Sequence, residues 1–130
     1  MLGYLDFLFL SYSGRIGRLT YWLAFFALGF IECIAIGLLL FAARDVFAAA
    51  NDHQVVASDV VFTRIFLPSI IVMVLFLYPT YAVYTKRWHD RDKSGWWSLI
   101  SFVPFIGGLW MFIELGFLGG SYGNNQYGSR

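Results

Sequence analysis

At 130 residues, with 59% hydrophobic and only 13% charged side chains, the chain carries too few charges to cover the surface of a soluble domain this small. The excess apolar surface must face lipid, and a formal charge of +1 offers no basis for nucleic-acid binding. Cys33 is the only cysteine, which excludes an intramolecular disulfide and reads as a small apolar side chain within its run.

Residues Met1–Leu10 are apolar apart from Asp6 but too short to cross a bilayer, so a short interfacial helix ending at Ser13-Gly14 is expected. A cleaved signal peptide is not expected, because Arg15 and Arg18 follow this apolar stretch instead of preceding it. The charged residues then leave three long gaps. A helix needs about 20 residues to cross a hydrocarbon core of about 30 Å, which places spans near Tyr21–Ala43, Ile65–Tyr84 and Trp96–Leu118. Backbone groups in lipid must bond within their own segment, so the expected class is an all-α polytopic membrane protein, a single domain over residues 1–130.

Aromatic side chains stand where the interfaces should lie. Tyr21 and Trp22 open the first span, Tyr81 and Tyr84 close the second, and Trp96 and Trp97 open the third. Pro68 is tolerable in the first turns of the second span, and Pro79 lies deeper, where it should kink the helix. Asp92 or Ser94 can cap the third helix. Pro104 and the following Phe105-Ile106-Gly107-Gly108 leave two readings open, a kink in one spanning helix or the apex of a re-entrant hairpin. The kinked single span is the favoured reading.

Orientation follows from Lys and Arg. With three spans, Arg15, Arg18, Lys86, Arg87, Arg91 and Lys93 share one side, six cations against three on the other. The N-terminus is therefore expected in the cytoplasm and the tail outside.

Three clusters carry a resemblance. Gly14-Arg15, Arg18 and Tyr21-Trp22 form the first, and the second runs Arg87-Trp88-His89-Asp90 then Lys93-Ser94-Gly95-Trp96-Trp97. The third is Gly119 or Gly120 followed by Asn125-Gln126-Tyr127-Gly128. In this order and spacing the chain resembles the YhaH-like bacterial inner-membrane proteins, classed as domain of unknown function 805, along essentially its whole length. It departs from the family pattern at Gln126, where Arg is typical, and in ending at Ser129-Arg130. The resemblance implies a bacterial plasma membrane location and offers no established activity or cofactor.

The polar residues offer little chemistry. His89, Asp90 and Asp92 invite a metal, but Lys86, Arg87, Arg91 and Lys93 would repel one, so no metal is expected. They read instead as a solvated turn shaped by carboxylate–arginine pairs. Ser94 and His89 lack the context of a hydrolase, and no catalytic residue is assigned. Glu32 stands at mid-span, where an ionised carboxylate costs several kcal/mol. Gly29, Cys33 and Gly37 beside it form a stripe of small residues suited to close helix packing. Glu114 is expected near the outer end of the third span. Candidate functional residues are thus Glu32, Glu114, Arg87, His89, Asp90, Arg15 and Arg18.

The function these residues favour is non-enzymatic, through helix-mediated assembly with itself or a membrane-protein partner. The alternative is a homo-oligomeric ion, proton or small-solute channel or transporter subunit with Glu32 lining the path. Besides the bilayer itself, the basic connection suggests anionic lipid headgroups as partners, with a pocket near His89-Asp90 and the planar fork of Arg87 as the recognising group.

Overall fold

The structure, a computed structural model, describes residues 2–52 and 54–129. Met1 of the expected interfacial helix and the terminal Arg130 lie outside them. Helix α1 (Leu2–Phe9) is followed by a loop, and α2 (Arg18–Ala42) by the short α3 (Arg44–Asn51). The one-turn α4 (Ser58–Val61) continues through a π-helical turn (Phe62–Phe66) into α5 (Leu67–Asp90). A 3-10 helix (Gly95–Phe102) and α6 (Ile106–Gly116) complete the set. The chain packs as two compact units, Met1–Ala27 with Tyr78–Arg130, and Leu28–Leu77.

Among the described residues, two helices are long and apolar enough to cross a membrane, Arg18–Ala42 and the continuous run Ser58–Asp90. A soluble core helix of such composition would be covered by its own protein. Here only 6% of the most apolar 18-residue stretch of the first helix is buried, and none of that of the second. Their side chains are bare because lipid is their solvent.

The second span differs from expectation at both ends. It begins at Ser58, so Pro68 lies in the interior of a 33-residue helix. Proline has no N–H to give the carbonyl four residues back, and the π turn just before it absorbs the mismatch, with Leu67 N–H bonding Phe62 O. At the other end the helix runs to Asp90, six residues beyond the expected Tyr84, and carries Lys86, Arg87 and His89 on its last turns. It stops in a Schellman motif. Asp92 takes the left-handed conformation at φ 57°, Lys93 N–H bonds Trp88 O at 3.0 Å and Asp92 N–H bonds His89 O at 3.0 Å. Asp92 therefore ends one helix, while Ser94 caps the next element by accepting from Trp96 N–H at 3.4 Å.

The third apolar segment is not the expected continuous helix over Trp96–Leu118. The 3-10 helix ends at Phe102, and the chain reverses through Pro104-Phe105-Ile106 in a γ-turn closed by Ile106 N–H to Pro104 O at 2.7 Å. Phe105 at its centre has φ 62°, costly for a bulky side chain, and is exposed at the apex. Helix α6 has 11 residues, too few to cross, and runs back along the 3-10 helix. The close approach is made at Gly107, where a Cβ would collide with Ile100 O. The re-entrant alternative describes this geometry.

The first unit holds nearly all the buried apolar side chains among the described residues: Leu8, Ile16, Tyr21, Ala24, Ala82, Val83, Trp88, Met111 and Leu115. The second buries Ala43 and Val46, next to an exposed pair of Arg64 and Asp45 at 2.6 Å.

Candidate functional site

Asp90, fully buried, is the centre of a polar cluster in the first unit. Its Oδ1 accepts from Arg15 at 3.1 Å, and its Oδ2 accepts from Arg87. Its backbone carbonyl accepts from Ser121 N–H at 2.7 Å and from Ser121 Oγ at 3.1 Å. Asp90 pairs with arginines as expected, but not in solvent: both ion pairs lie at 0% side-chain exposure, whereas Asp92 is exposed. A carboxylate and two guanidiniums out of water need every remaining lone pair and proton satisfied, and backbone carbonyls do most of that work.

Arg15 spreads its guanidinium over the tail, donating to Gly123 O at 2.7 Å, Gly128 O at 3.0 Å and Ser121 O at 3.0 Å. The tail passes close enough to Asp90 that a Cβ on Gly120 would strike the carboxylate. Asn125 then donates to His89 O at 2.8 Å, while its Oδ1 accepts from Tyr127 N–H at 2.9 Å. The turn closes with Gly128 N–H to Asn125 O at 3.0 Å and lays the Tyr127 ring on His89, centroids 3.8 Å apart and planes within 6°. His89 Nδ1 lies 3.2 Å from Gly14 O. A carbonyl can only accept, so Nδ1 carries the proton.

The C-terminus of α6 ends in the same cluster. Five consecutive carbonyls receive side-chain donors from elsewhere in the chain. Leu115 O takes Arg87 Nε at 2.8 Å, Gly116 O takes Trp22 Nε1 at 3.2 Å, and Phe117 O takes Arg18 at 3.1 Å. Leu118 O takes Arg87 Nη2 at 2.5 Å and Gly119 O takes Arg91 at 2.7 Å. Cations at the negative end of a helix, each on a carbonyl the helix leaves unbonded, are favourable on both counts. Glu114 of the same helix pairs with Arg91 at 2.9 Å and with Lys93. It therefore belongs to the basic connection and not to the outer end of a third span, as the sequence suggested.

Lys86 is fully buried, and its ammonium donates to Phe7 O at 2.8 Å and to Ser11 O, with the Phe7 ring centroid 5.3 Å away. Carbonyls at the end of α1 thus solvate it. Arg87 directs its nitrogens to Leu115 O, Leu118 O and Asp90 and has no exposed surface, so it is not the outward-facing headgroup fork expected from the sequence.

Arg15, Arg18, Arg87, His89, Asp90 and Glu114 are brought together. Glu32, Gly29, Cys33 and Gly37 belong to the other unit. Ser69 Oγ, also in that unit, donates to Ile65 O of its own helix at 2.7 Å. Sequence reasoning missed Ser121, Asn125 and Lys86 as parts of the site. The clustering of Asn125, Tyr127 and Gly128 was the one available signal.

Residues 9–129 match the family model described as protein of unknown function (DUF805). The chain belongs to this family. Among its relatives is inner membrane protein YhaH of Escherichia coli (strain K12), 30% identical over 120 residues, covering 92% of this chain and 86% of that protein. Inner membrane protein YhaI of the same strain is 40% identical over 65 residues, 49% of this chain and 52% of that protein. Uncharacterized protein YiiR is 28% identical over 142 residues, 91% and 84% of the two chains. No solved structure matches the chain. This DUF805 protein is a small multi-pass protein of the bacterial inner membrane, and Arg15, His89 with Asp90, and Asn125, one or more from each of the three sequence clusters, meet around Asp90.

Proposed function

We propose that the protein is a non-enzymatic membrane component that acts by assembly through α2, with a second copy of the chain as its partner. The observation that carries this is Glu32. It is half-buried at mid-helix and makes no hydrogen bond among the described residues. A carboxyl group in hydrocarbon needs a partner, protonated or not. Beside it, a Cβ on Gly29 or Gly37 would meet nothing within 4 Å, so the small-residue stripe is open to a second helix. Two copies of one stripe are self-complementary about a twofold axis, with Cys33 near its centre.

The single native cysteine tests the reading directly. In isolated membranes, mild oxidation should couple Cys33 to Cys33, and Gly29→Ile or Gly37→Ile should abolish coupling. Absence of the dimer band in the wild type, or its persistence in both variants, would refute assembly through this face. Glu32→Gln should retain the dimer because the amide still hydrogen-bonds. If that substitution instead abolished a cation or proton flux into vesicles while leaving the dimer intact, a conducting path lined by Glu32 would replace this reading.

We also infer that the Asp90 cluster faces the cytoplasm. The N-terminal loop, the residues after α5 and the tail meet there, which gathers Arg15, Arg18, Lys86, Arg87, Arg91 and Lys93 on one side and leaves Arg44 and Arg64 for the other.

A further inference from the structure

A cavity of about 440 Å³ opens in the first unit between the last turns of α5 and the start of the 3-10 helix. Tyr81, Thr85 and His89 line one wall, and Ser94, Trp96 and Ser98 the other. Its surface is mostly carbon, it contains no charged side chain, and five hydroxyl groups (those of Tyr12, Tyr81, Thr85, Ser94 and Ser98) belong to its lining residues. Most of those hydroxyls are engaged: Tyr12 donates to Tyr78 O at 3.0 Å, Tyr81 bonds Ser101 at 2.6 Å, and Ser94 accepts from Trp96 N–H. The hydroxyls of Thr85 and Ser98 have no hydrogen bond among the described residues, and Ser98 is the more deeply buried of the two. It is 2% exposed, and its Oγ is buried without a hydrogen-bond partner. A buried hydroxyl without a partner keeps the cost of its lost hydration, so a polar group at this position calls for a partner that arrives from outside the chain.

We propose that this cavity binds the uncharged, carbonyl-bearing head of a lipid-soluble molecule, with Ser98 Oγ as the donor to it. A charged head is disfavoured because no lining side chain would compensate it. Water alone is a poor occupant. A single molecule takes about 30 Å³ and needs two to four polar partners, whereas this space is an order of magnitude larger and mainly apolar. Trp96 stands exposed at the rim and Tyr12 completes the lining, both residue types of the membrane–water interface. At that depth two sources present such a carbonyl on an apolar chain, the ester region of bilayer lipids and the ring of a quinone. The aromatic rings of Tyr81 and Trp96 offer faces against which either can lie.

The test uses the purified full chain in detergent with two probes, dioctanoylglycerol for the ester source and decylubiquinone for the quinone source. Native mass spectrometry counts bound molecules. The fluorescence difference between wild type and Trp96→Phe locates them. One probe at least should bind saturably at one molecule per chain, and which one does so identifies the source. Ser98→Ala should weaken that binding roughly tenfold, and Ser98→Thr, which keeps the hydroxyl, should retain it. Ser98→Leu should abolish it by filling the space. Ser98→Ala without ligand should melt no lower than wild type, because the deleted group has no partner in the fold. The proposal is overturned if neither probe saturates, or if Ser98→Ala binds as wild type does. A lower melting point with unchanged binding would assign the hydroxyl to the fold.

Discussion

At the scale of single residues, burial decides which charges matter. Asp90 holds two guanidiniums in a place without water, and its neutral replacement would leave both uncompensated. Asp90→Asn is expected to cost about 3–5 kcal/mol, the usual loss when one member of a buried ionic group is removed. Thermal melting of the detergent-solubilised variant should show a large drop or a failure to accumulate. Asp45 is the control. The hydrogen bond from Arg64 holds its carboxyl below the usual carboxylate range, but the pair is exposed. Asp45→Asn should leave the melting point unchanged, since solvent screens such pairs. A melting point for Asp90→Asn equal to that of Asp45→Asn would show that the carbonyls accepting from Arg15 and Arg87, and not the carboxylate, hold the cluster. The sequence disclosed the identity of these charges but not their burial. Charge runs near a span end usually face solvent, and nothing local in Arg87-Trp88-His89-Asp90 says that a tail thirty residues later will cover them.

At the scale of elements, the two long spans were legible because the gaps between charges exceed the length a bilayer needs. The hairpin was not, because Pro104 and the two glycines after it suit a kink as well as a reversal. What separates the two is contact, and the contact is steric. Gly107 packs against the backbone of the 3-10 helix, where a Cβ would collide with Ile100 O, whereas a Cβ on Gly108 meets nothing within 4 Å. Gly107→Ala should therefore destabilise the protein by about 1–3 kcal/mol through overpacking. Gly108→Ala, which differs by one position and gains helix propensity, should be neutral or slightly stabilising. Equal melting points for the two would mean that the chain does not reverse this tightly. The same logic accounts for the end of α5. Its aromatic residues suggested a stop at Tyr84, whereas Asp92, an uncommon but tolerated residue at positive φ, supplies the actual stop eight residues later.

At the scale of the whole molecule, the hairpin changes the topology that charge counting gave. Charge counting with three crossings sends the tail to the outside. With a reversal at Phe105, the carbonyls of Leu115 to Gly119 return to Arg87, Trp22, Arg18 and Arg91, and the tail closes over Arg15 and His89. Those hydrogen bonds require the tail and the N-terminal loop to share one side of the membrane. On the orientation proposed above from the positive-inside bias, that side is expected to be the cytoplasm. Single cysteines placed at Asn124 and at Asp52, in a Cys33→Ala background, test this with a membrane-impermeant maleimide. In intact spheroplasts the reagent should label Asp52→Cys and spare Asn124→Cys, and in inverted vesicles the pattern should reverse. Labelling of Asn124→Cys from outside would restore a third full crossing. It would also separate the tail from Arg15 and dismantle the Asp90 cluster, so a single labelling pattern bears on the topology and on the site together.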